Sequence, residues 1–108
     1  MKLSVQVLPR AQRQMVESAL WWAEHRSPSE ASGWLSGLES AIRSLADDPD
    51  RFPVAAESDE FDFPLRQLNY GLSRHPTHRV LFAVQTDRVL VYAVRHLAQA
   101  ELSPDDIE

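Results

Sequence analysis

The sequence predicts an α+β domain in which a helix hairpin packs on one face of a small, mainly antiparallel sheet, in the order β-α-α-β-β-β. Three observations predict it. The first residues alternate polar and apolar, residues 10–45 carry apolar side chains at helical spacing broken by one capping signal, and from Leu65 onward the pattern is that of strands. The 108 residues suffice for a single domain, 1–108, and not for two. Apolar residues make up 44% and charged residues 25%, near the average for soluble globular domains, which argues against a disordered chain.

Leu3, Val5 and Val7 alternate with Lys2, Ser4 and Gln6, so the first strand has one buried face. Pro9 ends it and opens a helix near Arg10, with Ala11, Met15, Ala19, Trp22 and Ala23 on one side and an end expected near Arg26. Ser27-Pro28-Ser29-Glu30 starts the second helix: Ser27 can cap, Pro28 needs no amide hydrogen at the first position, and Glu30 can close the capping box. Ala31, Trp34, Leu35, Leu38, Ile42 and Leu45 form its stripe, and Asp47-Asp48-Pro49 stops it. So short a connection forces the helices into an antiparallel hairpin. Trp21, Trp22 and Trp34 read as packing residues.

Residues 49–64 contain three prolines and five acids without periodicity, an acidic loop that is long for so small a domain. Strands follow at Leu65–Tyr70, Thr77–Gln85 and Arg88–His96, with a turn at Arg74-His75-Pro76 and a tight hairpin at Thr86-Asp87. The near-continuous apolar runs of the last two mark central strands covered on most of both faces. Ser103-Pro104-Asp105-Asp106 suits the cap of a last helical turn. With both helices on one face, the other is expected to be only partly covered by the chain, leaving a surface for another molecule.

The net charge of −5 counts against wholesale coating of nucleic acid, but it is unevenly spread. Residues 63–100 hold Arg66, Arg74, Arg79, Arg88 and Arg95 against Asp87 alone, a local cationic stretch made entirely of the residue suited to phosphate and carboxylate forks. No window approaches the ~20 apolar residues of a membrane span. The start lacks the apolar block of a signal peptide, so a cytoplasmic address is expected. With no cysteine there is no disulfide, iron–sulfur cluster, thiolate zinc site or cysteine nucleophile. His75 and His78 are spaced for a shared ligand, but a turn broken by Pro76 and lacking a third donor is a poor metal scaffold, so no metal is expected.

The run His78-Arg79-Val80-Leu81-Phe82-Ala83-Val84, a short turn, and Val89-Leu90-Val91-Tyr92-Ala93-Val94-Arg95-His96 resembles the RelE/ParE superfamily of toxins from bacterial type II toxin–antitoxin systems. Leu65-Arg66-Gln67-Leu68 and Leu102-Ser103-Pro104-Asp105 resemble its ParE-like, plasmid-stabilisation branch. The resemblance covers essentially the whole chain and implies a two-layer fold. It also implies an antitoxin, usually encoded beside the toxin, whose C-terminal segment wraps it as a dimer or heterotetramer. Two activities follow from the resemblance, neither with a cofactor: ParE-like inhibition of DNA gyrase by binding, or RelE-like, metal-free cleavage of mRNA on the ribosome. A non-toxic relative that keeps only antitoxin binding is a third outcome.

Metal-free cleavage uses the 2′-hydroxyl as nucleophile and needs a base, a cation beside the phosphate and an acid for the leaving oxygen. Arg79 matches the family's arginine at the start of its strand, Arg95 is a second candidate cation, His96 a candidate acid or base, and Tyr70 and Tyr92 candidates for base stacking. Strand parity sends Arg95 and His96 to opposite faces. Where ribonuclease relatives carry further His, Tyr, Arg or Lys, this chain has Leu97, Ala98, Gln99 and Ala100, and its only lysine is Lys2. The expected function is therefore inhibition by binding, with Arg66, Tyr70, Arg74, Arg79 and Tyr92 meeting the protein partner. Arg79 is equally suited to pair with an acid, in the 57–62 loop or in the antitoxin.

Overall fold

A computed structural model of the protein describes residues 2–99 and 101–104. β1 (Ser4–Val7) leads into α1 (Pro9–His25), where Pro9 takes the first helical position as expected. α2 (Pro28–Arg43) begins where the capping signal places it, with Ser27 Oγ accepting the Glu30 amide at 3.0 Å. The Glu30 carboxylate turns to Arg26 Nε, at 3.1 Å, rather than back to the cap. α2 ends earlier than the Asp-Asp-Pro stop: a 3₁₀ turn, Ser44–Ala46, follows Arg43. Asp48 then adopts a left-handed φ of 47°, a conformation Asp tolerates better than most side chains, and redirects the chain.

β2 (Arg66–Tyr70), β3 (His78–Val84) and β4 (Arg88–His96) complete one sheet in the order β1-β4-β3-β2. β3 runs antiparallel to both its neighbours, and β1 lies parallel to β4. The helices bury Ala11, Met15, Trp34, Leu38 and Ile42 against Leu68, Val80, Phe82, Val89, Val91 and Val94. β4 reaches this packing through a bulge. Leu81 pairs with Ala93 but Phe82 with Val91, so Tyr92 is the extra residue. Strict alternation would put Val94 and Tyr92 on the same face. The bulge instead turns Val91 and Val89 toward the helices with Val94, while Tyr92 stacks on Phe63 outside, with ring centroids 5.4 Å apart.

The opposite face corrects the expectation of an open cationic surface. Its centre is sealed by the chain itself: Ala55, Leu65, Leu81, Ala93 and Leu102 form a second buried cluster, flanked by Phe61, Phe63 and Tyr92. Residues 49–64 are likewise not a plain loop. They contain two 3₁₀ turns, Pro49–Arg51 and Ala56–Glu60, and pair with the edge of β2 through a Val54–Arg66 bridge. Central strands that are apolar on both sides need cover on both. The helices supply one cover, and the acidic segment with Leu102 supplies the other. The helical turn expected at Ser103–Asp106 lies largely outside the described residues. Among the described residues no helix is long and apolar enough to cross a membrane.

Gly37 sits on the face of α2 that meets Tyr70, whose hydroxyl donates to the Trp34 carbonyl at 2.7 Å. A Cβ at Gly37 would collide with that hydroxyl and come within 3.2 Å of the ring carbon bearing it. Gly37→Ala is therefore expected to destabilise the fold by about 1–2 kcal/mol despite its better helix propensity. Combined with Tyr70→Phe, the same change should cost less than it does alone, which urea denaturation of the two pairs would read.

Candidate functional site

The side chains named from the sequence divide between two places. His78 pairs across the sheet with His96, and Arg79 with Arg95. Alternation from Val80 and Val94, which face the helices, puts both histidines on the helical side and both arginines on the opposite side. The three candidate catalytic residues Arg79, Arg95 and His96 are thus split by the sheet.

Arg79 is buried in an ion pair. Its Nη1 and Nη2 donate to Glu57 Oε1 and Oε2, both at 2.7 Å, a two-pronged fork that also takes Gln67 Oε1 at 3.2 Å. The Leu102 amide donates to Glu57 Oε2 at 2.7 Å, so a single carboxylate fastens β3 and the residues after β4 to the acidic segment. Burial alone would raise the Glu57 pKa, but the Arg79 guanidinium and the Leu102 and Glu57 amides outweigh it and hold the carboxyl below its ordinary 4.5. Arg79 consequently offers no guanidinium to a phosphate or to a partner's carboxylate while this segment is seated. The sequence left the partner as an acid of the 57–62 loop or of the antitoxin, and did not distinguish Glu57 from Asp59, Glu60 and Asp62.

The other arginines form no common surface. Arg66 donates to the Phe52 carbonyl at 2.7 Å and meets Asp50 at 3.5 Å, which ties the 49–64 segment to the sheet edge. Arg88 bonds Gln85 at the hairpin, and Arg74 stands exposed in the opposite turn. Arg95 is half-buried beside Arg79's strand position. Of the tyrosines, Tyr70 is held under α2 and Tyr92 lies against Phe63, and burial pushes both phenol pKa values up.

A concavity lies on the helical side, at the end of the sheet. β1 has 4 residues and β4 has 9, so the last turn of β4 outruns its neighbour and leaves a gap beside α1. The gap is a cleft of about 500 Å³ lined by Trp21, Trp22 and Arg26 from α1, Thr77, His78 and His96 from the strand ends, and Gln14, Glu17 and Gln99. Gln14 Oε1 accepts the Val94 amide at 2.8 Å and Gln99 Oε1 accepts the His96 amide at 2.8 Å, which satisfies the exposed edge of β4. Trp21 is half exposed at the rim and stacks on His25, contrary to its reading as a packing residue. Trp34 is fully buried as expected. Gln14 and Glu57 are side chains the sequence did not single out, and Trp21 is one to which it gave only a packing role. Trp21 had a visible signal, since it falls off the Ala11–Met15–Ala19 face.

The two imidazoles are 5.2 Å apart, edge to face. His96 Nδ1 accepts the Ala98 amide at 3.0 Å, so its proton sits on Nε2 when the ring is neutral, and that nitrogen is a donor rather than a metal ligand. His78 is buried against Trp34, with Thr77 Oγ1 2.8 Å from its Nδ1. Burial, with the neighbouring His96, pulls its pKa down from 6.5 to about 4. Among the described residues no group of three His, Asp or Glu could hold a metal. The cleft therefore presents aromatic faces, hydrogen-bonding groups and Arg26, which is paired with Glu30, while Arg79 lies across the sheet.

The His78 shift sets a pH dependence. The unfolded chain takes up a proton near 6.5 and the folded chain only near 4, so stability falls as the pH drops from 6.5 toward 4. At pH 5 the loss relative to pH 8 from this residue is about 2 kcal/mol. Glu57 adds a loss of the same sign only below its ordinary 4.5. Urea unfolding at the two pH values should show the difference, and His78→Phe should flatten it.

Comparison with known proteins agrees with the fold. Residues 5–101 match the family model described as the ParE toxin of a type II toxin–antitoxin system, parDE. A solved structure of a chromosomal ParDE toxin–antitoxin system from P. aeruginosa superposes with a TM-score of 0.70 at 12% identity, over 88% of this chain and 96% of that one. No curated protein matches the sequence.

Proposed function

From a chain that belongs to the ParE toxin family of type II toxin–antitoxin systems, we propose a toxin that arrests growth by binding an essential target, DNA gyrase, and is neutralised by an antitoxin. The observation that carries inhibition by binding over RNA cleavage is the buried Arg79–Glu57 fork. Cleavage without a metal needs a free cation beside the phosphate and a proton-transfer group within reach of the same oxygen atoms. Here the arginine is committed to a carboxylate, and His96 lies on the other side of the sheet. The positions after His96 hold Leu97, Ala98 and Gln99, none of which moves a proton.

Purified protein should inhibit supercoiling by gyrase at micromolar concentration, and coexpression of the protein encoded beside it should abolish the growth arrest. Growth arrest with gyrase unaffected would remove gyrase as the target. Cleaved message in a translating extract would replace binding with the endonuclease reading. Harmless expression without any partner would leave a non-toxic relative.

A further inference from the structure

Once the backbone of β4 is served, the cleft between α1 and the ends of β3 and β4 is left with a surplus of hydrogen-bond donors. The amide oxygens of Gln14 and Gln99 are taken up by the Val94 and His96 amides, at 2.8 Å each. What remains of each side-chain amide is its NH2 group, which can only donate. His96 is fixed in the same sense, because its Nδ1 accepts the Ala98 amide and the proton of the neutral ring sits on Nε2. Arg26 gives its Nε to Glu30, which leaves the Nη groups. Against these the lining side chains set the Ser18 and Thr77 hydroxyls, the second already 2.8 Å from His78 Nδ1, and the exposed Glu17 carboxylate.

The α1 wall of the cleft is aromatic. Trp21 and Trp22 meet at 87° with ring centroids 5.7 Å apart, and stacking on His25 holds Trp21 in place. Two indoles at a right angle form a corner for a third planar ring, face to one and edge to the other. The volume of about 500 Å³ is that of a small-molecule site. We propose that this cleft binds a small aromatic carboxylate, with its ring in the Trp21–Trp22 corner and its two oxygens accepting from Gln14, Gln99 and His96. A doubly charged group such as a phosphate monoester fits poorly, because the one arginine is shared with Glu30 and Glu17 lies on the same lining. An ammonium group also fits poorly. It brings donors to a surface of donors, and Arg26 already lies over the Trp22 ring, 5.8 Å from its centroid. The cleft and the Arg79–Glu57 fork are on opposite sides of the sheet, so neither the gyrase reading nor the antitoxin reading depends on this site.

Calorimetric titration and heteronuclear NMR of the full chain with three probes test the proposal: indole-3-acetate, its neutral amide indole-3-acetamide, and the cation tryptamine. Indole-3-acetate should bind about 10-fold tighter than either of the others, since only it offers a charged acceptor to every donor. Its addition should shift the side-chain NH2 signals of Gln14 and Gln99 and the ring signals of His96. Glu17→Gln removes the one carboxylate of the lining at an exposed position, so the fold is kept. That variant should bind indole-3-acetate about 2-fold more tightly and indole-3-acetamide as before. Equal binding of the amide or the amine overturns the proposal, because the ring alone would then account for it. Weaker binding of indole-3-acetate to the Glu17→Gln variant overturns it as well. So does binding that moves none of the Gln14, Gln99 and His96 signals, or the absence of binding at millimolar indole-3-acetate.

Discussion

Replacing Glu57 with alanine should cost about 3–5 kcal/mol, a third or more of the stability of a typical domain of this size. The change leaves Arg79, a residue only 7% exposed, without its carboxylate and strands the Leu102 amide as well. Arg79→Ala should cost less, because an orphaned Glu57 can take up a proton and still accept the Leu102 amide. Its carboxyl pKa should then rise, since burial, the largest influence on it, acts upward and is no longer opposed by the arginine. The double variant Glu57→Leu with Arg79→Met exchanges the ions for apolar groups of similar size. It should recover most of the loss but not all, since the Leu102 amide still lacks an acceptor. Urea midpoints of the four proteins give the coupling. A Glu57→Ala variant within 1 kcal/mol of the parent would mean the acidic segment is not seated on the sheet in solution. If the variant stays folded, loosening of this segment would also expose Arg79. An RNase assay on it would then ask whether burying that cation is what keeps the fold from phosphate chemistry.

The elements could be read from the chain because their signals are local. Ser27-Pro28-Ser29-Glu30 places the start of α2 to the residue, since a cap and a proline act within one turn. β3 and β4 are recognisable by their apolar runs, and the short link between the helices forces their pairing. What the sequence hid depends on which side of the sheet a residue faces. Five arginines close together in the sequence suggest one cationic surface, yet alternation, the hairpin and the contacts of Arg66 with Phe52 and Asp50 send Arg66, Arg74, Arg79 and Arg88 to four different surroundings. The bulge at Tyr92 has no residue signature of its own, and it alone decides that Val91 and not Tyr92 joins the helical core. The cover of the far face did leave a trace. Phe61, Phe63 and Leu65 alternate with Asp62 and Pro64, an extended segment with one apolar side inside what otherwise looks like an acidic loop.

Trp34→Ala should be the other severe lesion, again about 3–5 kcal/mol, and it should change the candidate site as well as the fold. Trp34 is fully buried, its ring meets Tyr70 and His78 edge to face, and its carbonyl accepts the Tyr70 hydroxyl. Removing the indole opens a cavity directly beneath His78. Burial is the main cause of the low His78 pKa, so water admitted there should let the value climb from about 4 back toward 6.5. Trp34→Phe distinguishes packing from polarity. Among the described residues the buried indole Nε1 has no hydrogen-bond acceptor, so phenylalanine deletes an unsatisfied donor together with part of the ring. It should cost under ~1.5 kcal/mol and leave His78 desolvated. NMR titration of His78 in the three proteins therefore separates two accounts of the cleft. A pKa that rises only in the alanine variant ties the neutral imidazole to the core beneath it. A pKa unchanged in both would shift the cause to the neighbouring His96 across the strand pair, and His96→Gln should then raise it.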